Sequence, residues 1–277
     1  MNTLFLPSLN CSLTIVTWQF NALFLVNASK TLFDILPASF GESRENFMID
    51  WSTINTVFFD MDGTLLDLHF DNYFWLEHLP RRFTELKKIP HEQTLRKLHD
   101  MFEQHQGSLN WYCLDFWSDE LGIDIVELKR EVSDRIAYRP HVKHFLSALH
   151  DLGLELAIVT NAHRGSINLK LEQTDLAHYF DEIICSHDFK AAKESEQFWQ
   201  ALHQSRHFDP EKTVFFDDNE SVLMAAKDFG IAHLFSIAQP DSKKASRQQT
   251  YFPLVYDFLD LLPEATRNTL KEPANDG

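Results

Sequence analysis

Between Glu155 and Ile237 short apolar runs alternate with single amphipathic stretches, and few architectures accept that order. Glu155–Thr160, Glu182–Cys185, Thr213–Asp217 and Ala232–Ile237 read as strands; Ser166–Gln173, Gln197–His203 and Ser221–Phe229, the last ended by Gly230, read as helices. Strands joined by one helix each form right-handed βαβ crossovers, and hence a parallel sheet covered on both faces. An earlier run, Thr56–Asp60, is β-branched and aromatic and reads as one more buried strand. From Phe70 to Tyr138 the pattern is helical throughout. Glu92–Gln106 sets Leu95, Leu98, Met101 and Phe102 on one face, and Ile123–Ile136 does the same with Ile125, Leu128, Val132 and Ile136. Gly107-Ser108 and Gly122 punctuate this block, and Pro140 suits the first turn of a helix running to Leu152. The expected fold class is therefore α/β: a doubly wound parallel sheet formed by 48–69 and 139–265, with a helical cap inserted at 70–138 and a polar tail at 266–277.

Residues 1–47 do not match the rest. They are rich in Leu, Phe, Ser and Asn, and the first basic residue is Lys30. A secretory signal needs a basic region ahead of its apolar stretch, and a surface-anchoring helix needs Lys or Arg on its polar face; neither is present. Met48-Ile49-Asp50-Trp51 offers a natural start just ahead of the first strand. The working protein is expected to begin there, with 1–47 an unstructured extension or a segment not made at all. No apolar run reaches the 18 or so residues of a membrane helix.

Composition narrows the chemistry. With 25 Lys+Arg against 41 Asp+Glu the formal charge is −16, which repels phosphate backbones and argues against nucleic acid as partner. A phosphorylated ligand would need local positive charge, and a divalent metal is the obvious source. The three cysteines, Cys11, Cys113 and Cys185, form no C-x-x-C pair, so neither a disulfide framework nor a structural zinc site is indicated. Unpaired thiols fit a reducing compartment, and the chain reads as cytoplasmic.

In open α/β sheets ligands bind beyond the carboxyl ends of the strands. Those ends and the loops behind them read Asp60-Met61-Asp62-Gly63-Thr64, Thr160-Asn161, Lys193-Glu194 and Asp217-Asp218-Asn219. Taken singly, each is an ordinary turn, cap or solvated lysine. On successive strands they form one constellation. Asp60, Asp62, Asp217 and Asp218 make an oxygen-rich set of the kind Mg²⁺ prefers. Lys193 can contact a phosphate as a point charge and Thr160 can donate to it. Asp60 can act as nucleophile, and Asp62 can protonate a leaving alkoxide and later take a proton from water.

The run Asp60-Met61-Asp62-Gly63-Thr64-Leu65, with Thr160-Asn161, Lys193 and Asp217-Asp218, resembles the four motifs of the haloacid dehalogenase-like superfamily over nearly all of 51–262. The resemblance implies a Rossmann-like core, a helical cap of the C1 type and Mg²⁺. It assigns Asp60 as nucleophile and metal ligand, and Asp62 as acid/base whose backbone carbonyl also binds metal. Asp218 becomes the direct ligand from the last motif, with Asp217 behind it. Dehalogenases of the superfamily lack the second aspartate, so Asp62 favours a phosphatase.

Leu65–Trp75, Leu109–Ser118 and Thr160-Asn161-Ala162-His163 look like the bacterial GMP/IMP nucleotidase group, which starts about where Met48 lies. This implies a purine nucleoside 5′-monophosphate as substrate. Phe189–Glu194 lacks the Gly-x-Pro that often precedes the lysine, which leaves Lys190 as a competitor of Lys193. Asn161, Asn72, Asn110 and Trp111 are the candidate substrate contacts, since a base can stack on a ring and offer polar edges to an amide. Most cap aromatics, among them Trp75, Trp111, Tyr112, Phe116 and Trp117, read equally as the core of a small helical unit. The alternatives are a phosphatase for another small metabolite, such as a sugar phosphate or phosphoglycolate, and a catalytically silent nucleotide-binding protein.

Overall fold

The computed structural model describes residues 49–264, 266 and 267. These belong to one compact unit. The expected extension at 1–47 and most of the expected tail at 266–277 lie outside the described residues.

Six parallel strands form one sheet: β1 (Thr56–Phe59), β2 (Glu155–Thr160), β3 (Glu182–Cys185), β4 (Thr213–Asp217), β5 (His233–Ile237) and β6 (Leu254–Val255). Their order is β3-β2-β1-β4-β5-β6, so the winding reverses at β1 and opens a crevice beside its carboxyl end. Register pairs Thr56 with Glu155 on one side and with Thr213 on the other. Alternation along the strands feeds two apolar layers. Val57, Phe59, Ile158, Val214 and Phe216 pack under α7 (Val142–Asp151) and the terminal turn Phe258–Leu261. Phe58, Val159 and Phe215 pack under α9 (Glu196–Ser205) and α10 (Glu220–Phe229). The sheet expected from the alternating pattern is thus present, with β6 in addition; two residues carry too little pattern to announce a strand.

Between β1 and β2 the chain forms a helical block around a third apolar cluster: Phe70, Phe74, Phe83, Leu98, Trp117, Ile125 and Leu128, joined by Leu169 from α8 (Arg164–Gln173) of the core. Its helices are α1 (His69–Tyr73), α2 (Leu79–Lys87), α3 (His91–His105), α4 (Leu109–Tyr112), α5 (Leu114–Leu121) and α6 (Ile125–Arg130), with a π-helical turn Phe74–His78 joining the first two. The two crossings into the block pair with each other: Leu66 bridges Tyr138, Asp67 N–H donates to Ala137 C=O, and Arg139 N–H donates to Leu65 C=O.

Three boundaries differ from the sequence reading. Asp60 lies just past β1, its N–H still bonded to Phe216 C=O. The expected helix Ile123–Ile136 is two pieces, because Asp124 caps α6 by accepting from Glu127 N–H, and Val132 leaves helical geometry before a 3₁₀ turn at Ser133–Arg135. Pro140 precedes α7 rather than opening it; the chain is held extended through Arg139 and turns at His141, whose φ is +61°.

Candidate active site

The crevice beside β1 is lined by loops that leave the carboxyl ends of β1, β2, β3 and β4. After β1 the chain makes a tight turn: Leu65 and Leu66 N–H both donate to Met61 C=O, and Gly63 N–H donates to Leu66 C=O. Gly63 has φ +89°, and a Cβ there would sit 2.8 Å from Asp218 Cγ. Only glycine lets this turn lie against the β4 loop. Asp60, Asp217 and Asp218 are all buried, and one carboxylate oxygen from each lies within 4.8 Å of the others. This buried hard-oxygen set suits a divalent cation of the Mg²⁺ kind.

Lys193 is 2% exposed and enters the same cluster. Its Nζ donates to Asp60 Oδ1 at 2.6 Å, Asp217 Oδ2 at 2.7 Å and Val159 C=O at 3.0 Å. Burial pushes the Asp60 carboxyl up to about 7, with Lys193 pulling it back and Asp217 and Asp62 adding to the rise. Burial likewise lifts Asp217 to about 6 against the pull of Lys193. Burial works against the Lys193 charge, yet Asp217 and Asp60 hold it above the usual lysine range. Lys193 and the Arg247 guanidinium against three buried carboxylates still leave excess negative charge, which a divalent cation would relieve. Asp217 has both oxygens engaged, one by Lys193 and one by Asn219 N–H. Asp218 Oδ2 lies 3.8 Å from Arg247 Nη2.

Thr160 and Asn161 end β2. Thr160 Oγ1 accepts from Ala162 N–H at 3.0 Å, so its own proton is available to donate. Asn161 Oδ1 accepts from Lys193 N–H at 2.9 Å, and its Nδ2 donates to Glu194 Oε2 at 2.9 Å. Glu194 Oε1 accepts from Tyr112 of the helical block at 2.6 Å. Lys190, the competing lysine, is exposed at the end of a 3₁₀ turn with φ +54°.

The Asp62 carboxylate is not part of the cation cluster. Its Oδ2 is ion-paired with Lys170 Nζ of α8 at 2.6 Å. Lys170, 1% exposed, also donates to Asp71 Oδ2 at 2.8 Å, and Asp71 Oδ1 accepts from Lys129 of α6. Burial opposes the charge of Asp71, but Lys129 and Lys170 hold its carboxyl below the ordinary range.

The four candidate substrate contacts scatter. Asn161 is at the crevice. Asn72 is buried and donates to Asp241 Oδ2 at 2.7 Å. Asn110 is exposed on α4. Trp111 sits edge-on to Phe102 at 5.7 Å and to Trp117 at 6.4 Å, within the aromatic cluster that also contains Trp75 and Phe116.

Sequence reasoning does not single out Lys170, Lys129 or Asp71. A signal for the two lysines exists in the helix pattern: Lys170 stands three residues after Ile167, and Lys129 four after Ile125, each in line with a buried apolar residue of its helix. A lysine on the inner stripe of an amphipathic helix needs a buried partner.

The model of the haloacid dehalogenase-like hydrolase family matches residues 57–235. GMP/IMP nucleotidase YrfG of Escherichia coli (strain K12) is 37% identical over 215 residues, covering 78% of this chain and 97% of its own length. A phosphorylated carbohydrates phosphatase of Thermotoga maritima is 26% identical over 227 residues, covering 79% of this chain and 99% of its own. Among solved structures, a HAD phosphatase from Thermococcus onnurineus superposes with a TM-score of 0.63 at 21% identity, over 79% of this chain and 98% of that one, which speaks to fold. With the family match running from β1 through the inserted block into β5, the chain belongs to the haloacid dehalogenase-like hydrolases.

Proposed function

We propose that the chain is a Mg²⁺-dependent phosphomonoesterase of the cytoplasm that hydrolyses purine nucleoside 5′-monophosphates, GMP and IMP, through an aspartyl-phosphate on Asp60. The observation that carries the chemistry is the Asp60 carboxylate at the carboxyl end of β1, gripped by Lys193 at 2.6 Å and closed in by Asp217 and Asp218. Asp60, Asp218 and the Asp62 backbone carbonyl would hold the cation, with Asp217 orienting Lys193 from behind. When bound, the cation neutralises charge on the transferring phosphoryl group.

The chain's own residues do the rest. An Asp60 oxygen attacks phosphorus as the bond to the leaving oxygen breaks, and Asp62 gives that oxygen its proton. Water then attacks the aspartyl-phosphate, Asp62 takes a proton from it, and phosphate leaves with Asp60 restored. Lys193 and the Thr160 hydroxyl hold the phosphoryl oxygens through both steps. Residues 70–138 act as a cap that excludes bulk water, and Tyr112 meeting Glu194 is one of its seats on the core.

The substrate class is supported by the 37% identity to a GMP/IMP nucleotidase over nearly all of that protein. A second reading, a phosphatase for another small phosphorylated metabolite, has the Thermotoga carbohydrate phosphatase in its favour, and the engagement of the Asn72 amide nitrogen with Asp241. Phosphate release from GMP, IMP, AMP, sugar phosphates and phosphoglycolate, with Mg²⁺ and with EDTA, decides. Metal-dependent release led by GMP and IMP is the expected result. Release led by another compound keeps Asp60 and its partners and discards the purine. No release from any of them, with tight nucleotide binding, marks a silent binding protein.

A further inference from the structure

From the ion-pair chain behind Asp62 we infer that Lys170 is a positioning residue for the acid/base, fixing which oxygen of Asp62 faces the leaving group and tying that orientation to the seat of the helical block. The inference rests on the role of Asp62 proposed above.

The two Asp62 oxygens are in different situations. Oδ2 is ion-paired with Lys170 Nζ at 2.6 Å, while Oδ1 is buried with no hydrogen-bond partner among the described residues. A lysine ammonium has three donors and no acceptor, so an oxygen in its grip cannot present an acidic proton to it. The transferable proton is thereby confined to Oδ1, the oxygen that has nothing else to bond. A buried polar atom without a partner is rare and asks for one. In this site the natural partner is the ester oxygen of a bound phosphomonoester, which receives the proton as its bond to phosphorus breaks. The same oxygen later takes the proton of the attacking water, so the carboxyl never needs to turn over.

Lys170 is itself held. Its second carboxylate, Asp71, comes from α1 of the block, and Asp71 is shared with Lys129 from α6. Lys129 and Lys170 both lie near the Phe70 ring, at 5.1 and 5.5 Å from its centroid. Asp62 and Lys170 belong to the core, Asp71 and Lys129 to the block, so the relay crosses the junction that a cap must close. When the block is seated, Lys170 has both carboxylates and Oδ1 is aimed. When it lifts, Lys170 loses Asp71 and the aim is released.

The test is single-turnover release of the leaving group with Mg²⁺ in the buffer, which reads the first step alone. Two substrates are compared: the alkyl phosphate ranked first in the panel above, whose alkoxide needs a proton, and p-nitrophenyl phosphate, whose phenolate leaves without one. In Lys170→Met, alkoxide release slows by about 10- to 100-fold and phenolate release by less than about threefold, with KM for the alkyl phosphate within about twofold. Lys170→Arg, which keeps a cationic donor on Oδ2, recovers most of the loss. Equal slowing with both substrates overturns the positioning role. Lys170→Met leaves two buried carboxylates against one lysine, so Lys170→Met/Asp71→Asn, which removes one charge of each sign, is read by the same criterion. Asp62→Asn separates the role of Asp62 from that of Lys170. If it shows no leaving-group split, the role of Asp62 falls; if it shows the split and the Lys170 variants do not, only this inference falls.

Discussion

Lys193 and Lys170 are both almost wholly buried and each grips two carboxylates, yet they are assembled from different parts of the fold. Lys193 meets Asp60 and Asp217, residues at the ends of two adjacent strands whose register the sheet ladder fixes. Lys170 meets Asp62 of the core and Asp71 of the helical block, so one of its two ion pairs depends on two layers of the molecule being in contact. The first cluster is rigid because its partners are built into one hydrogen-bonded sheet. The second is only as fixed as the packing of Leu169 and Phe70 that joins the block to α8. The mechanism proposed above has use for both: a nucleophile that stays still, and an acid/base whose surroundings change when the cap closes.

That contrast can be broken in order of effect. Asp60→Asn should lower turnover by more than about 10⁴-fold while circular dichroism stays that of the parent; retained phosphate release would remove Asp60 from the mechanism. Lys193→Met leaves Asp60 and Asp217 facing each other unpaired, which should cost about 3–5 kcal/mol of stability, read from the denaturant midpoint, along with a large loss of kcat. Lys190→Met, in the exposed turn three residues earlier, should change neither measurably, and the reverse outcome would exchange the two lysines. Gly63→Ala forces a Cβ to 2.8 Å from Asp218 Cγ at φ +89°. It should cost about 2–4 kcal/mol and weaken Mg²⁺ binding by calorimetry.

The last of these effects is a pH dependence. Asp60 rises from 3.8 to about 7 on folding, chiefly through burial, so the folded metal-free protein holds this proton more tightly than the unfolded chain. Its contribution favours folding at low pH and is lost as pH climbs from about 4 to about 7. Asp60→Asn removes that slope. In EDTA it should raise Tm at pH 7.5 by several degrees more than at pH 5. An equal shift at both values would mean that the Asp60 carboxyl is ionised throughout this range.

The two clusters also differ in how far they can be read from sequence. Asp60, Asp62, Thr160, Lys193 and Asp217-Asp218 stand at strand ends or in the loops behind them, where a short continuous apolar run stops, its side chains alternating between the two faces, and the parallel sheet brings those ends to one crevice. Val57 and Phe59 facing one layer and Phe58 the other follow from the same alternation. Lys170, Lys129 and Asp71 sit inside helices, where a polar residue on the inner face is visible only once the face is known. The helix expected at 123–136 is too long because the apolar period continues through Val132, while the Asp124 cap and the turn at Ser133 act on the backbone and leave the period intact. Asn72 and Trp111 also have neighbours that no sequence pattern announces: Asn72 Nδ2 donates to buried Asp241, and Trp111 sits in an edge-on aromatic cluster.

The pairing of the two crossings at Leu66 and Tyr138 has a consequence for how the chain finds its fold. β1 must align with β2 across the whole inserted block, Thr56 opposite Glu155, and closing so long a loop is entropically expensive. A block that gathers around its own apolar cluster and zips its two ends at Leu66–Tyr138 cuts the effective loop roughly fourfold, worth about 1 kcal/mol of closure entropy. The insertion then shortens the search it would otherwise lengthen. Separating the crossings with a Gly-Ser insertion beside Ala137 should accordingly slow refolding more than it speeds unfolding.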